Sequence, residues 1–128
     1  MKTHLSASLL ACFLAASVWA KDSDKAAAID PKDLDTLRGK RGETVTVEGV
    51  IARTGESKSR THRYLNFTKN YQESISLVFV ISKNPTEFAP EKLNAWVGKR
   101  VRATGTATEY GSSMQIVIDS WDQIKAVE

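Results

Sequence analysis

The run Ser74-Ile75-Ser76-Leu77-Val78-Phe79-Val80-Ile81-Ser82 constrains the fold more than any other part of the chain. Ile75, Leu77, Phe79 and Ile81 form one wholly apolar face, which predicts a strand seated on a core. Two strand-like segments precede it, one short helix-like segment follows it, and two more strand-like segments complete the chain. Five strands with a single helix after the third is the layout of a small closed, all-β barrel, in which no strand edge is left bare.

The first strand is expected from about Glu43 to Arg53, where Val45, Val47 and Ile51 alternate with Thr44, Thr46 and Glu48. Gly49 interrupts that alternation and reads as a bulge or sharp bend, letting one long strand serve both sides of a barrel. Thr54 to His62 is a polar, basic loop. Strand two, Arg63 to Thr68, sets Leu65 and Phe67 on one face and Tyr64, Asn66 and Thr68 on the other. After Asn84-Pro85 a short helix is expected, with Pro90 in its first turn, Glu91 favoured by the helix dipole and Gly98 as its stop. Leu93, Trp96 and Val97 share one side of it, suited to plugging a barrel end. Strand four runs from Lys99 to Thr108, Tyr110-Gly111-Ser112-Ser113 is a hairpin turn, and strand five begins at Met114 with Ile116 and Ile118 inward.

The beginning of the chain has a different character. Lys2 and His4 precede an apolar stretch from Leu5 to Ala16, and Val18-Trp19-Ala20 suits cleavage, so residues 1–20 are expected to be a cleaved signal peptide. That stretch is shorter than the roughly 20 residues of a permanent span, so no membrane span is expected and the location implied is periplasmic or secreted. Leu9-Leu10-Ala11-Cys12 resembles a lipoprotein processing box, but the residues after Cys12 continue the apolar stretch, which argues against lipidation. Cleavage after Ala20 would remove the only cysteine, and with it any disulfide or thiol chemistry. Residues 21–38 are expected to be a polar tether, with a possible helical turn capped by Asp30 and begun by Pro31, and residues 39–128 the barrel domain.

Val45-Thr46-Val47-Glu48-Gly49-Val50, Tyr64-Leu65-Asn66-Phe67, Tyr71, Val78 to Ile81, Gly98-Lys99-Arg100-Val101, Gly105, Tyr110-Gly111 and Gln115-Ile116 occur in order. Together they resemble the OB-fold nucleic-acid-binding domain of bacterial exported proteins, a type also found attached to extracellular nucleases. The resemblance covers about Gly39 to Lys125. It implies a five-stranded Greek-key OB barrel and the binding of single-stranded DNA or RNA. The chain departs from the pattern at Thr68 and Lys69, where a glycine often follows the Leu-Asn-Phe motif. With no nuclease domain appended, a non-catalytic protein is expected.

Charge points the same way. Between Arg38 and Lys69 stand eight basic residues against three acidic ones, whereas the preceding segment carries Asp22, Asp24, Asp30, Asp33 and Asp35. A local basic patch is the electrostatic mark of a polyanion partner. Arg53, Lys58, Arg60 and Arg63, in and beside the first loop, are the expected phosphate contacts, with Arg102 on strand four. Tyr64, Tyr71 and Tyr110 are the expected stacking platforms. Asn66 could read a base edge or a sugar hydroxyl, or bond a neighbouring backbone group, and the structural role is slightly favoured. His62 lacks a partner ligand and Asp119 with Asp122 reads as a wet strand end, so neither metal nor other cofactor is expected. Trp96 is expected in the core, and Trp121 is left open. The alternative to nucleic-acid binding is a protein-interaction or envelope-stress module using the same groove or a strand edge for an envelope partner.

Overall fold

The computed structural model describes residues 28–127; the expected leader and the first part of the expected tether lie outside the described residues. The described residues are mostly β, with one sheet of eight strands and two short α-helices. The strands are β1 (Ala28–Ile29), β2 (Thr44–Val50), β3 (Arg53–Glu56), β4 (His62–Asn66), β5 (Ser76–Val80), β6 (Arg100–Tyr110), β7 (Ser113–Val117) and β8 (Ile124–Ala126). Helix α1 spans Leu34–Gly39 and α2 spans Pro90–Asn94.

The sheet runs β1-β2-β6-β7-β5-β4-β3, with β8 also paired to β6. Its pairs are antiparallel except β1 with β2 and β5 with β7. The expected five strands are therefore eight, and the sheet is not closed. The difference has three causes. The first expected strand ends at Val50, and β3 forms from Arg53 and the first residues of the expected loop Thr54 to His62, because the chain breaks at Ile51-Ala52: Ile51 N–H bonds Lys99 O toward β6, while Ala52 N–H bonds Asn66 O toward β4. One run thus serves both ends of the sheet, and the turning point lies after Gly49 rather than at it. Gly49 itself sits in regular register opposite Val101. It is required instead by close packing, since a Cβ there would stand 3.0 Å from both Phe67 and Pro31.

The other two causes are short added strands at the chain ends. Ala28–Ile29, within the stretch read as tether, pairs in parallel with Thr46 and Val47. Leu37 of α1 is fully buried in the core, so this segment is built into the domain. Asp33 rather than Asp30 caps α1, its carboxylate accepting from Thr36 N–H, while Asp30 accepts from Lys32 N–H in the preceding turn. At the other end, the turn Trp121–Gln123 returns Ile124–Ala126 to the outer edge of β6.

The core joins inward residues of every long strand: Val45 and Val47, Leu65 and Phe67, Ile75, Leu77 and Phe79, Val101, Ala103 and Ala107, Met114, Ile116 and Ile118. Ile81, expected inward, begins a 3-10 turn and is only half-buried, because the strand ends at Val80. Gly105 faces the same interior, where a Cβ would come within 2.6 Å of the Ile116 side chain. Helix α2 follows β5 as expected, with Pro90 at its start, and places Leu93 and the preceding Phe88 under the barrel end. Phe88 meets Phe79 edge-on at 5.2 Å, and Trp96 stacks on Trp121 at 5.7 Å. Val97, expected on the plugging side, is exposed: the chain leaves α2 before it and turns at Gly98.

Candidate functional site

Backbone pairing assembles a polar row across the outer face of the sheet. Arg53 of β3 stands opposite Asn66 of β4, Asn66 opposite Ser76 of β5, Ser76 opposite Gln115 of β7, and Gln115 opposite Thr108 of β6. Each falls on the strand parity opposite to the core residues Leu65, Leu77 and Ile116, which is why all five share the outer face. Gly55 lies opposite Tyr64 two residues along, and at the other end Tyr110 lies opposite Ser113.

Asn66, Ser76 and Gln115 of this row form the floor of a groove of about 680 Å³. Arg53, Gly55 and Glu56 line one side, Tyr110 to Ser113 the other, with Lys69 and Tyr71 from the β4–β5 connection and Tyr64 rising from the sheet. Tyr71 and Tyr110 are 53% and 77% exposed. These rings are the chain's three tyrosines, and all belong to this one groove. Burial, then the neighbouring Tyr110 and Tyr71, hold the Tyr64 phenol above its ordinary value of 10.0.

Asn66 carries the unpaired buried atom of this row. Only 6% exposed, it lines the groove, and its Oδ1 is the one buried side-chain nitrogen or oxygen without a hydrogen-bond partner among the described residues. An acceptor left in that state costs about 1–3 kcal/mol. The slightly favoured structural role, a bond to a neighbouring backbone group, is therefore not what the side-chain oxygen does. Nor is the Asn66 main chain short of partners, since its carbonyl accepts from Ala52 N–H.

Of the nine residues singled out in the sequence, the groove brings together Arg53, Tyr64, Asn66, Tyr71 and Tyr110. Arg53 also donates to Lys69 O at 3.2 Å, which ties the groove's edge to the β4–β5 connection. Lys58 and Arg60 stand exposed in the β3–β4 hairpin loop, just beyond the groove-lining Glu56, with Arg60 3.9 Å from that carboxylate. Arg63 and Arg102 are placed elsewhere. Arg63 shares the parity of Leu65, so it turns to the barrel end, where it donates to Phe88 O at 2.7 Å and pairs with Glu56 at 3.2 Å. Arg102 lies on the β2–β6 face and grips Glu48 at 2.9 Å, beside Arg100 at 3.0 Å. Hydrogen bonds from Arg102, then Arg100, hold the Glu48 carboxyl below its ordinary 4.5. A second groove of about 470 Å³ borders that face, with Ile29, Asp30, Lys32, Glu48, Phe67 and Arg100 in its lining, and of these Glu48 and Arg100 are paired with each other.

Sequence reasoning missed Lys69, Ser76 and Gln115. The parity of Ser76 and Gln115 was readable within their own strands; their alignment with Asn66 depends on the register between strands. Asp119 is held by Lys83 at 2.9 Å, and no group of three His, Cys, Asp or Glu side chains forms among the described residues. Trp121 packs against Phe79 and Trp96 and donates to Glu87 O, which places it in the barrel end and away from the groove.

If β2 and β3 are taken as one bent strand and the short β1 and β8 are set aside, the five strands that remain have a single parallel pair, third with fifth, and a helix between third and fourth. That is a partly open OB-type barrel, and the groove lies over its second and third strands between the first-second and fourth-fifth connections, the usual ligand face of this class. No protein-family model matches the chain, and no curated protein matches it. Among solved structures, an OBody bound to hen egg-white lysozyme is 14% identical, covering 70% of this chain and 83% of that chain with a TM-score of 0.49. The Stn1-Ten1 complex of S. pombe is also 14% identical, covering 66% of this chain and 57% of that chain, with a TM-score of 0.49. The aspartyl tRNA synthetase of Entamoeba histolytica is 10% identical over 80% of this chain and 22% of its own, with a TM-score of 0.48. The barrel class rests on the strand connectivity, not on these slight likenesses.

Proposed function

We propose that this protein binds single-stranded nucleic acid in the groove over β4 and β5, and that it does so without catalysis. The observation that carries this reading is the convergence of the chain's three tyrosines on one open groove with a polar floor, edged by Arg53 and Lys69. Aromatic faces accept any base, and cations beside them neutralise the phosphates that connect successive bases. Lys58 and Arg60 extend the positive edge beyond Glu56, where a strand leaving the groove would pass. The leader pattern of residues 1–20 supports action outside the cytoplasm, as a periplasmic or secreted protein.

Fluorescence anisotropy with labelled oligo(dT) and oligo(rU) over a salt series tests the proposal. Affinity is expected to fall steeply with salt, and Lys58→Ala with Arg60→Ala is expected to lower the logarithmic salt slope by roughly 1 to 1.5. Tyr71→Ala or Tyr110→Ala should weaken binding by about 1–3 kcal/mol with little change in that slope. Absence of binding at low salt would sink the reading and favour a polypeptide partner in the same groove.

A further inference from the structure

We infer that a phosphate of the nucleic acid sits in the groove above Gly55, held by the Tyr64 hydroxyl and Arg53, with the hydroxyls of Tyr71 and Tyr110 around it. This rests on the nucleic-acid reading above and adds where the ligand's backbone lies: the tyrosines bind through their oxygens as well as their rings. The groove is rich in donors that the protein itself leaves unused. None of the hydroxyls of Tyr64, Tyr71 and Tyr110 makes a hydrogen bond among the described residues, and Tyr71 and Tyr110 are widely exposed. A phenol is protonated at neutral pH, so each O–H can donate. Beyond the effect of burial, Tyr110 and Tyr71 each raise the Tyr64 phenol, so both of their hydroxyls lie within electrostatic reach of it.

Gly55 makes the room. It stands opposite Tyr64, on the face of β3 that carries Arg53. A Cβ there would lie 3.5 Å from the Tyr64 ring and 3.6 Å from Asn66 Nδ2. The space above the bare backbone is therefore bounded by an aromatic ring and an amide nitrogen. Asn66 turns its donor nitrogen to this space, whereas its oxygen is the buried atom. Arg53 donates one N–H to Lys69 O at 3.2 Å and keeps its other donors. Arg53 and Lys69 supply the positive charge of the lining, and its one carboxylate, Glu56, is held at 3.2 Å by Arg63, which turns to the barrel end. Donors and cations gathered in this way select an acceptor that carries negative charge, and in this ligand that group is the phosphate.

Stacking alone and phosphate binding differ in what the loss of an oxygen does. Tyr64→Phe keeps the ring and removes the hydroxyl. Its affinity for oligo(dT), read by fluorescence anisotropy at low salt, is expected to fall about tenfold, the size of one hydrogen bond to a charged group. The same fall is expected with an abasic oligomer of equal length, built on tetrahydrofuran units, which offers phosphates and no bases. Gly55→Ala fills the space without strain, since its contacts are ordinary and Gly55 has no left-handed φ. Its thermal midpoint should hold while the affinity for both oligomers falls by a similar factor. Should Tyr64→Phe not fold, Tyr71→Phe and Tyr110→Phe carry the same comparison.

Unchanged affinity for oligo(dT) in all three phenylalanine variants overturns the phosphate seat and leaves the binding function standing on stacking. A loss confined to oligo(dT), with the abasic oligomer unaffected, overturns it too, because the hydroxyls then meet a base. An abasic oligomer that does not bind the unmodified protein, with or without a 5′-phosphate, has the same consequence. A requirement for the 5′-phosphate supports the seat and assigns it to a chain end instead of a linkage. Failure of oligo(dT) to bind at all removes the functional reading itself, and the seat with it.

Discussion

At the scale of single residues, the groove's chemistry is set by side chains whose environments depart from the ordinary. Tyr64 is one. Its phenol is held above 10.0, first by burial and then by Tyr110 and Tyr71. The folded state therefore keeps the Tyr64 proton more tightly than the unfolded chain. Its contribution to stability is complete below pH ~10 and is lost as pH rises through the folded value. Ultraviolet titration of the tyrosinate band should show a component ionising above the ordinary value, and Tyr64→Phe should remove it. An unchanged titration curve in that variant would mean the phenol is not shielded. Glu48 carries the opposite sign. Paired with Arg102 and Arg100, it is held below its ordinary value, so its contribution is present above about pH 4.5 and fades as the medium becomes more acidic.

At the scale of elements, the β3–β4 hairpin shows how a charged loop is given a fixed shape. Ser57 N–H bonds His62 O, and Ser57 Oγ accepts from both Thr61 N–H and His62 N–H at 3.1 Å. The tight turn that results forces Arg60 to a φ of 58°, in the left-handed region that penalises a Cβ, while its side chain stays 86% exposed. Arg60→Gly is expected to raise stability by about 0.5–1 kcal/mol, the relief of strain outweighing glycine's greater unfolded-state entropy. The same change should weaken nucleic-acid binding and lower its salt slope. Chemical denaturation and anisotropy on one preparation check both, and a variant that loses stability would show that the turn does not strain this residue. Elements also mark where the sequence was hardest to read. The alternation of β2 was plain, yet its end was not, because Ile51 and Ala52 differ from their neighbours only in which strand their N–H groups find. Ala28–Ile29 carries too little apolar pattern to announce a strand, and becomes one by pairing with β2.

At the scale of the whole molecule, one end of the barrel is plugged and the outer face of β4 and β5 is left for the groove. Phe88, fully buried, bridges Phe79 and Trp121 at 5.2 and 6.0 Å between ring centres, and its carbonyl accepts from Arg63. Phe88→Ala should cost about 3–5 kcal/mol in urea unfolding followed by tryptophan fluorescence, since Trp121 and Trp96 report on the same plug. A loss below about 1 kcal/mol would mean that the plug is not part of the cooperative core. Arg63 belongs to this end and not to the groove, a placement that follows from parity once Leu65 is known to face inward. Reading it as a phosphate contact relied on its nearness in sequence to Lys58 and Arg60, and charge in sequence does not say which side of a strand it occupies.

What the sequence determined by itself follows from periodicity and local chemistry. Alternating residues separate inward Leu65, Leu77, Phe79 and Ile116 from outward Tyr64, Asn66, Ser76 and Gln115, and Pro90 and Gly98 mark the one helix between the third and fourth expected strands. Those signals are carried by neighbours along the chain. Tertiary structure alone decided that Asn66, Ser76 and Gln115 stand in one row, that the chain's three tyrosines meet over it, and that Arg102 is held by Glu48. Register between strands distant in sequence arises only when the core closes, because each strand can slide by two residues without violating its own pattern. The unpaired oxygen of Asn66 depends on that closure, and so does the groove that the residue lines.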